Sequence, residues 1–272
     1  MTSLSDQELN NYLNQKIIPN FASLLDQDID ATLFDISGKA LMATNKTATE
    51  LGFSSYRDLI GMSYDRNNIE LIKRLFPISS DDCLSNIQIC CDIICNVQRF
   101  VVEKKRAVSL IDLLPYNNIY ATYLSTYFPI LQPNGEVVAI ETISTCSNIF
   151  GFQEYLLKMD ESVINTSLFH PEDKGEIPFT KREKEVLFLL AHNVTQDHIA
   201  QILQISRSTV ANLIAQRICP KFGIQGANTK LLQRIALEKN YHSEMPQSLW
   251  RPSIIILDQQ LQDLIITDQK QE

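Results

Sequence analysis

The sequence predicts two domains of different class: an α+β domain with a five-stranded antiparallel sheet and helices, followed by an all-α module of four helices. Three observations carry this reading. From about residue 27 to 147, strand-like runs alternate with short helical pieces and one long helix. From 178 to 240, four capped amphipathic segments follow with no strand pattern. The formal net charge of −8 also divides unevenly. Residues 178–240 hold nine Lys and Arg against four Asp and Glu, a net +5, which leaves −13 on the rest. A basic module on an acidic body suits a nucleic-acid-binding part joined to a sensing or assembly part.

The 272 residues suffice for two buried cores, and 44% hydrophobic with 21% charged residues marks a folded chain. No apolar run reaches the ~18 residues of a membrane span. The polar, acidic start "MTSLSDQELNN" lacks the basic region of a secretory signal. A cytoplasmic protein with six reduced cysteines is expected.

The elements are justified in chain order. "LSDQELNNYLNQKII" (residues 1–26 as a segment) reads as a helix capped by Ser5, with Glu8 completing a capping box and Leu4 and Leu9 as a staple. Pro19 is expected to end or bend it. Such a helix packs on its own domain or pairs with a second subunit. "ATLFDISGKALMATN" reads as strand, Ser-Gly turn and strand, and "KTATELGFSSYRDLIGM" as short helical pieces. Residues 81–105, unbroken by Gly or Pro, read as a long helix. Three strand-like runs follow: "RAVSLIDLLP", "IYATYLSTYFPIL" and "EVVAIETISTC". The last two flank Asn134-Gly135, a good hairpin turn.

This order resembles a PAS domain, a sensory fold, over residues 27–147. The resemblance rests on "FDISGKALMATNKTATELGF…DLIGM" and on the closing hairpin "TYFPILQPNGEVVAIETIST". It implies a domain that senses a signal or mediates dimerisation, with a small-molecule ligand as one option. The residues that would bind such a ligand are not readable. Residues 148–177 are expected to form a linking helix and loop. In the tail, 241–272, the β-branched run in "SLWRPSIIILD" is read either as an extended segment docking on a neighbouring surface or as a simple appendage.

In the C-terminal module, Thr180 caps the first helix and Glu183 completes a capping box. Thr195 caps the second, with Val194 and Ile199 as staple. Ser206 caps the third, with Ile205 and Val210 as staple. The fourth starts near Asn228 and is expected to bury Leu231, Leu232 and Ile235. Two short capped helices joined by a tight turn at 203–206 are the elements of a helix-turn-helix. Val210, Leu213, Ile214 and Ile218 recur at helical spacing and are expected to face the core. Ser208, Ala211, Asn212, Ala215 and Cys219 form the opposite stripe.

The module resembles the LuxR-type helix-turn-helix family, without a gap from Thr180 to Val210. Matching residues include Thr180, Arg182, Glu183, Glu185, Ile199, Ala200, Ser206, Thr209 and Val210, with Lys221, Gly223 and Ile224 beyond. The resemblance implies binding to double-stranded DNA as a homodimer. It places base contacts near Ala211, Asn212 and Ala215, and phosphate contacts at Ser208 and Thr209, helped by Arg207, Arg217 and Lys221. Gln216 completes the set. Asn can bond adenine bidentately and an Ala methyl can touch a thymine methyl. The chain departs from the family's usual residues at Asn193, His198, Ala211, Leu213 and near Ala227. Its "RICPKFG" stretch is one residue longer, and Pro220 is expected to stop the third helix.

No Ser-His-Asp, metal or P-loop constellation stands out, so binding and not catalysis is expected, with no cofactor. All four histidines lie outside the PAS-like region. Cys91 and Cys95 of "CCDIIC" share a helical face but lack partner ligands, and buried apolar packing is the better reading. The expected function is a bacterial DNA-binding transcriptional regulator with a PAS-like sensory domain. The alternative is a protein-interaction adaptor whose degenerate helix-turn-helix no longer binds DNA. The near-neutral outward stripe favours the alternative, and the +5 charge of the module opposes it.

Overall fold

The structure is a computed structural model that describes residues 6–76, 81–117, 119–146 and 177–262. The expected Ser5 cap with its Leu4 staple, and the linking helix and loop of 148–176, lie outside the described residues. Two compact units are formed: one by residues up to 147 together with 251 onward, the other by 148–250.

The N-terminal unit has the expected α+β class, built on an antiparallel sheet. Helices α1 (Asp6–Tyr12) and α2 (Ile18–Phe21) lead into strands β1 (Asp30–Phe34) and β2 (Ala40–Ala43). The turn between these strands depends on Asp35, whose Oδ1 accepts the backbone N–H of Ser37 and Lys39 at 2.8 and 2.9 Å. Gly38 then takes φ +82°, where a Cβ would lie 2.5 Å from Gln98 Oε1, so a side chain is excluded twice over. Helices α3 (Asn45–Glu50), α4 (Ile69–Leu75) and α5 (Asp81–Lys104) follow, then β3 (Val108–Tyr116), β4 (Ile119–Leu131) and β5 (Val137–Cys146). Asn134-Gly135 makes the β4–β5 hairpin, with Gly135 at φ +83°.

The sheet has six strands, not the expected five, in the order β2-β1-β5-β4-β3-β6. The sixth, β6 (Ser253–Ile256), comes from the C-terminal tail and pairs antiparallel with β3, Ile254 opposite Asp112. The tail is therefore part of the sheet and no appendage. Its β-branched run puts Ile256 into the core, and Arg106 grips Asp258 through two nitrogens at 2.6 and 3.0 Å. β6 thus becomes the edge of the sheet, a four-residue strand in place of the nine-residue β3.

Period-2 alternation divides the sheet residues between two faces. On one, Phe34, Val108, Leu110 and Ile140 pack against Ile94, Val97, Phe100 and Val101 of α5. On the other, Ala31, Leu33 and Ala139 pack against Leu13 and Phe21 of the N-terminal helical segment, joined by Val138 where the β4–β5 register shifts. That segment runs through Pro19 without stopping. Leu13–Ile17 form a π turn in which the Ile18 N–H reaches back five residues to the Leu13 carbonyl. Pro19 follows immediately. A wide turn displaces the carbonyl that a proline ring would otherwise strike and asks for no bond from its missing N–H.

Candidate functional site

The C-terminal unit is all-α. Its helices are α6 (Lys181–Ala191), α7 (Gln196–Ile202), α8 (Arg207–Leu213), α9 (Cys219–Lys221) and α10 (Thr229–Glu238). The expected caps are present. The Thr180 side chain accepts the Glu183 N–H while Glu183 Oε2 accepts the Thr180 N–H at 2.7 Å. Thr195 accepts from the His198 N–H, Ser206 from Thr209 and Asn228 from Leu231. The terminations are equally regular. Residues 193, 204, 223 and 240 all take positive φ, and the N–H groups of Val194, Ile205, Ile224 and Tyr241 each bond a carbonyl five residues back. These are Schellman ends, which favour Gly; here only Gly223 is one, with Asn193, Gln204 and Asn240 at the other three.

The buried faces converge on one core of Val186, Leu187, Leu190, Ile199, Val210 and Ile214, with others around them. Leu232 and Ala236 are the buried residues of α10. Leu231, expected inside, is exposed, and Ile235 is half-buried. The tight turn between α7 and α8 is set by Leu203 inside and Gln204 in the left-handed region.

Pro220 does not stop the reading helix. A π turn, Ile214–Ile218, links α8 to α9, with the Cys219 N–H bonded to the Ile214 carbonyl. A π turn is one residue inserted into an α-helix, which accounts for the extra residue in "RICPKFG". The insertion also rotates the residues beyond it by about 100° relative to an unbroken helix. Cys219, expected on the outward stripe, is therefore fully buried beside Ile218. The helix finally ends at Gly223.

The rest of the expected stripe faces outward. Arg207, Ser208, Thr209, Asn212, Gln216 and Arg217 are exposed, and Ala211 and Ala215 are half-buried along the same side. Arg207 lies 3.0 Å from Asp197, an exposed pair that yields easily to another anion. Ser206, Ser208 and Thr209 hydroxyls share bonds of 2.7–2.8 Å at the helix start. Lys221 behaves differently. Its ammonium is 2.7 Å from Glu183 Oε2, 2.6 Å from the Pro178 carbonyl and 4.8 Å from the Phe179 ring centroid. Its charge is spent closing the start of α6 and not held out for phosphate. Burial disfavours the Glu183 carboxylate, but the Lys221 ammonium and the Thr180 N–H outweigh it, and its pKa lies below the usual range. Glu185, also buried, accepts from Arg182 at 2.8 Å and from Ser248, tying the chain beyond α10 to α6.

A second site lies within the N-terminal unit and was not legible as residues in the sequence. A cavity of about 850 Å³, counting its open mouth, sits on the inner face of the sheet. Leu51, Leu59, Met62, Leu75 and Ile94 supply apolar walls, and Tyr64, Tyr116, Tyr123 and Tyr127 an aromatic one. The strands contribute polar groups from alternate positions. Tyr116 and Ser125 hydroxyls each donate to Asp112 at 2.8 Å, and Ser125 meets Ser144 at 2.9 Å. Burial pushes the Asp112 carboxyl up to about 6, although both hydroxyl bonds oppose the shift. The neighbouring cysteines are packing residues. Cys83, Cys90 and Cys91 are buried in the core, and burial pushes the Cys90 and Cys91 thiols up to about 12.

Residues 178–227 match the family model of bacterial regulatory proteins, luxR family. No curated protein matches the chain. Among solved structures, Vibrio cholerae VqmA in a ligand–DNA complex is 18% identical, with a TM-score of 0.61 over 90% of this chain and 97% of that one. Phage VqmA in complex with DPO is 21% identical, with a TM-score of 0.52 over 93% of this chain and all of that one. These two likenesses concern the fold. The family match covers the same helices whose caps, turn and inward face are described above, and the C-terminal unit of this chain carries a helix-turn-helix domain of the luxR family.

Proposed function

We propose that this chain is a DNA-binding transcriptional regulator that acts by binding and not by catalysis. α8 and the π turn enter the major groove, with Ala211, Asn212, Ala215 and Gln216 toward base edges. Ser208, Thr209, Arg207 and Arg217 hold the flanking phosphates. Lys221 serves this surface indirectly, by fixing α6. The observation that carries the reading is the outward exposure of Asn212 and Arg217 on a capped helix that buries Val210, Ile214 and Ile218 on its opposite side, with Leu213 half-buried at the margin.

A single module reads few base pairs, so two copies are expected on half-sites about one helical turn apart. The N-terminal unit supplies the signal. Its cavity has the mixed apolar and polar lining of a small-molecule site, and the two VqmA structures of similar fold are complexes with a ligand and with DPO. Action on DNA places the protein in the cytoplasm of a bacterial cell.

Selection of genomic duplexes by the purified full chain tests the DNA reading. Recovered fragments should share a two-fold related motif. Asn212→Ala should relax preference at one base pair per half-site by about 1–3 kcal/mol. Recovery of no fragment above background would favour an interaction adaptor instead.

A further inference from the structure

The cavity of the N-terminal unit is chemically one-sided. Among the described residues its lining includes three carboxylates, Asp30, Glu50 and Asp112, and no Lys, Arg or His. Three of the hydroxyl donors around it are already spent on two of these carboxylates. Tyr116 and Ser125 donate to Asp112, and Tyr123 donates to Glu50 at 3.0 Å. What the ionised carboxylates offer a ligand is capacity to accept.

Two buried atoms make this specific. Asp30 is 6% exposed, and its Oδ1 has no hydrogen-bond partner among the described residues. Lys46 reaches only its other oxygen, at 3.6 Å, while sharing its charge with Asp28. Thr142, also 6% exposed, has an unpartnered Oγ1. Sheet register brings the two onto one floor: Asp30 stands opposite Ser144, and Thr142 lies two positions along β5 on the same face, opposite Thr32. Unpartnered buried oxygens are costly and uncommon. Asp30 Oδ1, when ionised, can only accept, and the Thr142 hydroxyl can accept as well as donate, so the two lining one cavity mark a place where a ligand donor fits. Tyr64 and Tyr127 border the same space, and tyrosine faces attract a cation.

We propose that this cavity binds a compact organic cation, an amine or amidine on an aromatic or apolar body, whose N–H groups donate to Asp30 Oδ1 and Thr142 Oγ1. This rests on the reading of the cavity as a ligand site and assigns the chemical class of its occupant. The body packs against Leu51, Leu59 and Met62, and the charge sits at the sheet.

Titration calorimetry of the full chain with charge-matched probes tests this: phenethylamine and benzamidine against phenethyl alcohol and phenylacetate. The cations should bind at least about tenfold tighter than the alcohol, the worth of a charge-assisted hydrogen bond, and phenylacetate should not bind. Asp30→Asn should abolish that preference. Thr142→Val, which keeps shape and removes the hydroxyl, should weaken the cations several-fold and serves if Asp30→Asn fails to fold. Equal or tighter binding of the alcohol or acid, or recovery of a neutral or anionic molecule from the native protein, overturns the assigned class and leaves the ligand-site reading standing. Binding of no probe, with no molecule recovered from the native protein, overturns both.

Discussion

Replacing Asp112 by asparagine isolates one buried carboxyl and gives a pH signature that packing alone would not. Asp112 sits in the middle of β3, 5% exposed, and accepts from the Tyr116 and Ser125 hydroxyls. Burial raises its pKa to about 6, while an aspartate in an unfolded chain titrates near 3.9, about two units lower. Because the folded pKa is the higher one, the folded state holds its proton longer. The penalty for the ionised form is absent below about pH 4, grows up to about pH 6 and is complete above it. Two units correspond to roughly 3 kcal/mol. Asparagine cannot ionise, so Asp112→Asn should gain about that much relative to wild type between pH 4 and pH 7, or roughly 6–12 °C in Tm for a unit of this size. The new amide N–H₂ needs an acceptor, but that cost is the same at every pH and leaves the slope untouched. Calorimetry of the full chain reads the shift. Trp250 belongs to the C-terminal unit, so the transition silent in tryptophan fluorescence is the one to follow. Parallel pH profiles for variant and wild type would refute the reasoning.

Three further outcomes rest on the same geometry. Deleting residues 251–272 strips β6 from β3 and removes Ile256 and Leu261 from the core. At roughly 1.5–3 kcal/mol for each side chain, the N-terminal transition should fall steeply or vanish in calorimetry while the C-terminal one persists. Glu183→Gln breaks the pair with Lys221, whose side chain is 28% exposed. The cost should be roughly 2–3 kcal/mol, less than for a fully buried pair. The Glu183 pKa is lowered, so this stability is present above about pH 4.5 and lost as pH falls through the folded value. The difference between variant and wild type should therefore shrink as pH falls below about 4.5, in urea unfolding followed by Trp250 fluorescence. Gln204→Gly relieves a side chain held at φ +53° at the expense of a floppier unfolded chain, for a net gain of about 0.5 kcal/mol in the same assay.

The helix-turn-helix was legible because its signals are local. Thr180, Thr195 and Ser206 announce three helix starts within a few residues of the apolar faces they precede. Five strands of the sheet were legible for the same reason, each bounded by a turn. β6 was not, although its β-branched run was visible: its partner β3 lies some 140 positions earlier, and nothing near Ile254 names it. Cys219 and Pro220 misled for a different reason. A constant helical period puts Cys219 outside, and only the surplus residue in "RICPKFG" hinted at the π turn that brings it in. The cavity was the least legible part. Asp30, Asp112, Ser125, Thr142 and Ser144 come from four strands and meet only once register and face are fixed. Their single trace in the sequence is a polar residue at the centre of an otherwise apolar run, as in "SLIDLLP" and "YLSTYF".

DNA binding through the outward face of α8 is the central claim, and the salt dependence of duplex affinity tests it most directly. If Arg207 and Arg217 of two copies each neutralise a phosphate, log K should fall with log salt at a slope of about −3.6 or steeper. Arg217→Gln should flatten that slope by about 1.8, two contacts' worth, on any selected duplex. A slope near zero that Arg217→Gln leaves unchanged would contradict the account.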